Sequence, residues 1–297
     1  MTVRYLLFII IVIFLSVLFM MFKQDNHNGV GEKKIQFTAI PDQDESRLTE
    51  RFSQIALYLS EKTGVEFVYI PVKSYAASVA AFKNGEVQLA WFGGLSGVRA
   101  RRAVVGARAI AQGEEDRNFV TYFIANYKTG LTYSQQLSKD LEGRTFTFGS
   151  KGSTSGRLMP EYYLRKTFNK TPGQIFKRVG YSGNHSKTIA LVQSGSYEIG
   201  AVNYRVWEKE VEDGKVDLTK VSVIWKTPEY TDYNWTIRPD VTEDFGTDFI
   251  DVVQNALLSL ENRDILDTFP RKSFIKADNS MYDTILEIGL AIGIFDE

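Results

Sequence analysis

"RTFTFGSKGSTSGRLMPEYYLRKTF", residues 144–168, changes its character in the middle. "TFTFGS" reads as a buried strand, and "GRLMPEYYLRKTF" reads as a helix with a proline near its start. Lys151 to Ser155 form the turn between them. Positions 149–156 hold three glycines and four hydroxyl residues, more than a turn needs. A helix start leaves about four backbone N–H groups unpaired and carries partial positive charge, and together these attract an anion. Ser153, Thr154 and Ser155 add hydroxyl donors, while Gly152 and Gly156 let a backbone approach closely. Ordinary N-capping needs one hydroxyl, not three. Two enzyme motifs fail here. A nucleotide P-loop ends in Gly-Lys-Ser/Thr, but Gly156 is followed by Arg157 and Leu158. A nucleophile elbow centres on serine, and the centre here is Thr154.

Strand–turn–helix units recur on both sides of this stretch. "KIQFTAI" reads as a strand ending at Pro41. The next helix places Leu48, Phe52, Ile55 and Leu59 on one face and stops at Gly64. "VEFVYIPV" and "VQLAWFG" read as strands around a helix that opens at Ser74. Further strands are expected near 104–111 and 118–126, then at "RTFTFGS", "FKRVGYS", "YEIGAVN" and "VSVIWKT". Helices are expected near 95–104, 156–168, 185–194 and 203–212, with long helical patterns at 243–261 and 279–290. The alternation predicts an α/β fold of two lobes around a cleft, each a mostly parallel sheet flanked by helices. In such sheets ligands sit at the C-terminal ends of strands. The expected division is 35–126 and 231–297 for the first lobe and 127–230 for the second.

The totals narrow the function classes. With 297 residues and 44% apolar content, sizeable cores are available. A net charge of −1 gives no reason to expect nucleic acid. Zero cysteines exclude thiolate zinc sites, a cysteine nucleophile and a lipidated-cysteine anchor. No His/Asp/Glu cluster has metal-ligand spacing, so neither a metal nor a cofactor is expected. The first 22 residues are different in kind. "YLLFIIIVIFLSVLFMMF", 5–22, carries no charge and is long enough to span about 27 Å as a helix. It ends in Phe19–Lys23 without a small-residue cleavage site, so an uncleaved membrane anchor is expected in preference to a removed signal. Residues 23–34 then form a polar tether, and the chain beyond it lies outside the cytoplasm.

Other strand ends supply further candidates. "AWFGGLSGVRAR", 90–101, is a second strand–glycine–helix turn, with Gly94 and Ser96 at its centre. Tyr75 sits on the first turn of the preceding helix. His185 follows a glycine turn in "GYSGNHSKTIALVQSGSYEIGAVNYRVW", 180–207, where Asn203 and Tyr204 close another strand. Tyr233 lies in the aromatic stretch "WKTPEYTDYNWTIRP", 225–239, which packs between lobes or lines a pocket.

These segments resemble, in order, the periplasmic phosphonate-binding type of ABC-transporter substrate-binding proteins. The likeness rests on "SYAASVAAFKNGEVQLAWFGG", "GSKGSTSG", "GNHSKTIALVQSGSYEIGAVNY" and "TPEYTDYNW", and runs from about 35 to 292. "WFGGLSGVRAR", "AVNYRVW" and "DYNWT" look most like its selenate-type or phosphite/phosphonate-type branch. The resemblance implies a type II binding-protein fold whose cleft closes on a tetrahedral oxyanion. Ser153, Thr154 and Ser155 would be the main donors, with Tyr75 from the first lobe and His185 from the second. Asn203 stands where aminophosphonate binders carry an acidic residue, and "GGLSG" stands where many members have Gly-Pro and a tyrosine. Both departures favour a compact anion without a cationic tail. The implied partner is the permease of an ABC importer, with the binding protein itself a monomer. The alternative is an extracytoplasmic sensor of the same fold that presents its ligand state to a signalling protein. An enzyme lacks a supported nucleophile, base or metal.

Overall fold

The computed structural model describes residues 33–296. The expected anchor and most of the tether lie outside the described residues. Among the described residues, no helix is long and apolar enough to cross a membrane.

Two sheets organise the chain. The first contains β1 (Ile35–Ala39), β2 (Phe67–Tyr69), β3 (Leu89–Phe92), β4 (Arg108–Gly113), β10 (Asn234–Ile237) and β11 (Phe274–Lys276), in the order β11-β4-β10-β3-β1-β2. The second contains β5 (Thr121–Asn126), β6 (Thr145–Phe148), β7 (Arg178–Tyr181), β8 (Ile199–Asn203) and β9 (Val221–Lys226), in the order β7-β6-β8-β5-β9. Helices α1 (Glu45–Thr63), α2 (Tyr75–Lys83) and α3 (Gly94–Ala103) follow strands of the first sheet. Helices α4 (Met159–Phe168), α5 (Pro172–Ile175), α6 (His185–Gln193) and α7 (Tyr204–Glu212) accompany the second. The C-terminal helices are α8 (Val241–Phe245), α9 (Phe249–Leu258), α10 (Arg263–Thr268) and α11 (Asp283–Ala291).

Three sequence expectations are corrected. The sheets are mixed rather than mostly parallel: β1 pairs parallel with β2 and β3, but β10 and β11 run antiparallel to their neighbours. In the second sheet β5 is antiparallel to both β8 and β9. β5 and β10 reach their sheets directly from the other sheet, without the crossover helix that parallel neighbours need. Second, β5 belongs to the second sheet, although 118–126 reads with the first lobe in sequence. Third, the helical pattern at 243–261 splits into α8 and α9 at Gly246, whose φ of 97° a helix cannot absorb.

The local reasons are legible. α1 buries Leu48, Phe52, Ile55 and Leu59, and ends where Gly64 turns left-handed at φ 71°. Phe52 meets Phe37 and Trp235 edge-on and stacks on Tyr69. Its removal in Phe52→Ala should cost about 3–5 kcal/mol. β3 and β6 are buried along their whole length, as strands covered on both faces should be. Their aromatic side chains anchor separate cores, Trp91 and Phe92 in one and Phe146 and Phe148 in the other.

The chain passes between the sheets twice, and the passages pair with each other. Phe119 N–H donates to the Tyr230 carbonyl at 2.8 Å, and Tyr230 N–H returns a bond to Phe119 at 3.0 Å. This two-stranded link joins the lobes at the base of the cleft.

Candidate ligand-binding site

The strand ends β1, β3, β6 and β8 converge on the space between the lobes, where an open α/β sheet presents its loops. The densest group of donors is the turn after β6. Ser153 caps it, its Oγ accepting from Gly156 N–H at 2.9 Å. The first turn is widened over Thr154–Leu158, with Leu158 N–H bonded back five residues to the Ser153 carbonyl at 3.0 Å. Such π turns are frequent at functional sites. The amides of Thr154 and Ser155 donate to no acceptor among the described residues. Ser153, Thr154 and Ser155 are all buried.

First-lobe residues close onto this turn. Leu95 N–H donates to Thr154 Oγ1 at 3.0 Å, and Ser96 Oγ donates to the Gly152 carbonyl at 2.9 Å. Tyr75 packs so tightly on Gly152 that a Cβ there would lie 2.8 Å from the Tyr75 Cβ. The Tyr75 hydroxyl is buried beside the Ser153 side chain and makes no well-formed hydrogen bond to a protein group among the described residues. Burial pushes that phenol well above its ordinary pKa, so it is a donor.

His185 opens α6 and faces the turn, its Nε2 3.4 Å from Ser155 Oγ. Its Nδ1 accepts from Asn203 N–H at 3.3 Å, so the neutral ring carries its proton on Nε2. Burial lowers its pKa to about 4, partly opposed by Asp42. At neutral pH His185 is therefore an uncharged donor aimed at the hydroxyl turn.

The remaining sequence candidates are engaged with protein groups. Gly94 N–H donates to Asp232 Oδ1 at 2.8 Å. Asn203 Oδ1 caps α7 through the amides of Arg205 and Val206, and its Nδ2 donates to the Tyr233 hydroxyl at 2.9 Å. Tyr233 in turn donates to Asp42 Oδ2 at 2.7 Å. Tyr204 stands apart from this hydrogen-bonded group, its ring packed edge-on to Phe119 and Tyr122.

Two buried carboxylates escape a reading of the sequence. Asp42 follows Pro41 at the end of β1, and Asp232 lies in "TDYNW" just before β10. The one signal for them is position: each borders a strand end that opens on the cleft. Asp232 Oδ2 and Asp42 Oδ1 are buried with no hydrogen-bond partner among the described residues. Burial raises the Asp232 pKa to about 7, against the Gly94 amide and Thr154 hydroxyl that favour its ionised form. Below that pH it is a carboxylic acid with one O–H to donate. Among the described residues, no cluster of His, Asp or Glu has the arrangement of a metal site.

Comparisons to known proteins place the chain in a family. The family model described as ABC transporter, phosphonate, periplasmic substrate-binding protein matches residues 37–282. This chain belongs to that family. Its members are periplasmic solute-binding components of transporters, not catalysts. This phosphonate-family binding protein is 39% identical over 264 residues to the "Probable ABC transporter phosphite binding protein PhnD1" of Prochlorococcus marinus, across 86% of this chain and 89% of that one. It is 24% identical over 206 residues to the phosphonates-binding periplasmic protein of Escherichia coli, across 68% and 60% of the two chains. The structure of PhnD1 in complex with methylphosphonate superposes with a TM-score of 0.84 at 38% identity, covering 89% of this chain and all of that one.

Proposed function

We propose that this periplasmic binding protein captures a compact phosphorus oxyanion of the phosphite or methylphosphonate type and delivers it to the permease of an ABC importer. The observation that carries the reading is the convergence of the Thr154 and Ser155 amides, the Tyr75 hydroxyl and the His185 Nε2–H at one closed seam. These donors are neutral and pre-oriented, so they hold an anion without side-chain cations and release it when the lobes part. Asp232 supports the same reading. As an acid below pH about 7 it adds a donor, and above that pH it repels a fully ionised ligand.

Asn203 and Tyr233 are held by each other, and Asn203 also by the start of α7, so neither is arranged for an ammonium tail. Calorimetric titration of the full chain with phosphite, methylphosphonate and an aminoalkylphosphonate tests the ranking. Binding of the first two and rejection of the third is expected, and equal binding of the aminoalkyl compound overturns the compact-ligand assignment. We also propose that the apolar run 5–22 remains as a membrane anchor and that the protein acts as a monomer. Intact-mass measurement of the membrane fraction should then give the full chain, whereas a species beginning near 23–34 would show cleavage.

A further inference from the structure

Asp42 is 3% exposed and borders a site built for anions, where a carboxylate opposes the ligand electrostatically. Its presence there requires a role other than ligand contact. Its bonds supply one. The Asp42 carbonyl accepts from His185 N–H at 3.0 Å, and next to it the Gln43 carbonyl accepts from Asn184 Nδ2 at 3.4 Å. On its side chain, Asp42 Oδ2 accepts from Tyr233, which accepts from Asn203. Asp42 and Tyr233 belong to the first sheet's side of the cleft, and Asn203 ends β8 of the second.

We infer that Asp42 is a positioning residue of closure, and that the relay Asn203–Tyr233–Asp42 is a latch formed only when the lobes meet. This rests on the oxyanion-binding reading above for its purpose, though not for its geometry. The direction of every bond in the relay is fixed. A carboxylate only accepts, so the phenol donates to it and offers its lone pair to the amide. The amide's other atom is held by the start of α7, so the donor cannot turn away. The relay is buried throughout, where each bond is stronger and each broken one costs more. It therefore holds the closed form against opening without touching the ligand. Its signature is on release: ligand enters with the lobes parted and the latch unmade, so the latch leaves association alone and slows dissociation.

The test uses the full chain, which has no cysteine, with spin labels on cysteines introduced at the exposed Leu57 and Leu218, one on each side of the cleft. Tyr233→Phe removes the relay without changing charge. Asn203→Asp keeps the cap acceptor and removes the amide donor. In both, release of methylphosphonate in stopped flow should accelerate about 10- to 50-fold, with association within about 2-fold of wild type. The fraction of short label-to-label distances should fall with or without ligand, while the apo melting temperature stays within about 2 °C. Asp42→Ala should behave as Tyr233→Phe does, and Asp42→Asn, which still accepts from the phenol, should restore slow release. Asp42 and Asn203 should be energetically coupled in a double-mutant cycle, and the coupling should vanish in a Tyr233→Phe background. Unchanged release and unchanged distances in Tyr233→Phe overturn the latch, as does a lowered apo melting temperature with an unaltered closed fraction. If wild type binds neither phosphite nor methylphosphonate, the oxyanion reading falls, and the label distances still decide the latch.

Discussion

The turns after β3 and after β6 are built alike in sequence and used differently in the fold. Each is a buried strand, a glycine-containing turn and a helix start, and each begins with backbone amides that need acceptors. After β3 the acceptors come from the protein itself: Gly94 N–H meets Asp232, and Leu95 N–H meets Thr154. After β6 the amides of Thr154 and Ser155 meet no protein acceptor among the described residues. The same motif is thus a structural lock on one side and, in the proposed function, a ligand cradle on the other. An anion-shaped helix start becomes a site only when the protein withholds its own acceptor.

The comparison can be broken most sharply at Gly152. A methyl group there would meet the Tyr75 Cβ at 2.8 Å, and neither atom is the flexible end of a side chain. Gly152→Ala should hold the lobes apart and weaken oxyanion binding about 100-fold or more, with little change in apo melting. Titration calorimetry beside apo melting curves checks it, and unaltered affinity would show that closure does not bring these residues together.

Thr154 comes next, because its hydroxyl serves both turns. Thr154→Ala removes the acceptor for Leu95 N–H, and should weaken binding about 10- to 100-fold. Ser155→Ala, which removes a hydroxyl beside His185 and the Tyr230 hydroxyl, should fall at the lower end of that range. Ser153 is the helix cap, so of the three alanine variants Ser153→Ala should be the one that also loses about 1 kcal/mol of apo stability. Unchanged affinity in all three variants would make the cradle a capping turn and remove the difference between the two turns.

The lock and the cradle should also titrate in opposite senses. Asp232 has a folded pKa of about 7, above its unfolded value of about 3.9. Its contribution to stability is full below about pH 4 and is lost as pH rises through 7. His185 has a folded pKa of about 4, below its unfolded value of about 6.5. Its contribution is present above about pH 6.5 and is lost as pH falls through 4. Between about pH 4 and 6.5 the two slopes oppose each other. Relative to wild type, Asp232→Asn should gain stability as pH rises, by on the order of 2–4 kcal/mol, while His185→Asn should lose it. Urea unfolding at several pH values between 4.5 and 7.5 measures both differences, and parallel pH curves for all three proteins would refute the assignment.

The smallest effect is expected at Lys151. Its ammonium lies over the Tyr181 ring, 5.2 Å from the centroid, and it is exposed. Lys151→Ala should change affinity by less than about 3-fold and reduce the salt dependence of association, since the charge acts at long range. A loss as large as that of Thr154→Ala would place a cation in the cradle and undo its description as neutral.

Much of the fold was readable because it is local. The face of Leu48, Phe52, Ile55 and Leu59, the caps at Ser74 and Gly64, and the all-buried strands β3 and β6 follow from periodicity and backbone preference. β10 and β11 were not legible, because short strands inserted beside distant neighbours take their direction and burial from partners far away in sequence. The site divides the same way. Ser153, Thr154, Ser155 and His185 stand at recognisable strand-to-helix turns. Asp42 and Asp232 are single acids in ordinary loop sequence, and nothing near them in the chain distinguishes a buried carboxylate from a solvated one.

The sequence by itself determined where donors cluster, because a helix start and its hydroxyls are covalently fixed within a few residues of each other. It also determined the paired-lobe rhythm and the family likeness of the segments between 35 and 292. The tertiary structure decided which donors remain available. Thr154 became an acceptor for Leu95, Asn203 and Tyr233 became links to Asp42, and Gly94 became a support for Asp232. The physical reason is competition: a buried polar group takes whatever partner the fold brings within about 3 Å, and that choice belongs to contacts far apart in the chain as often as to neighbours.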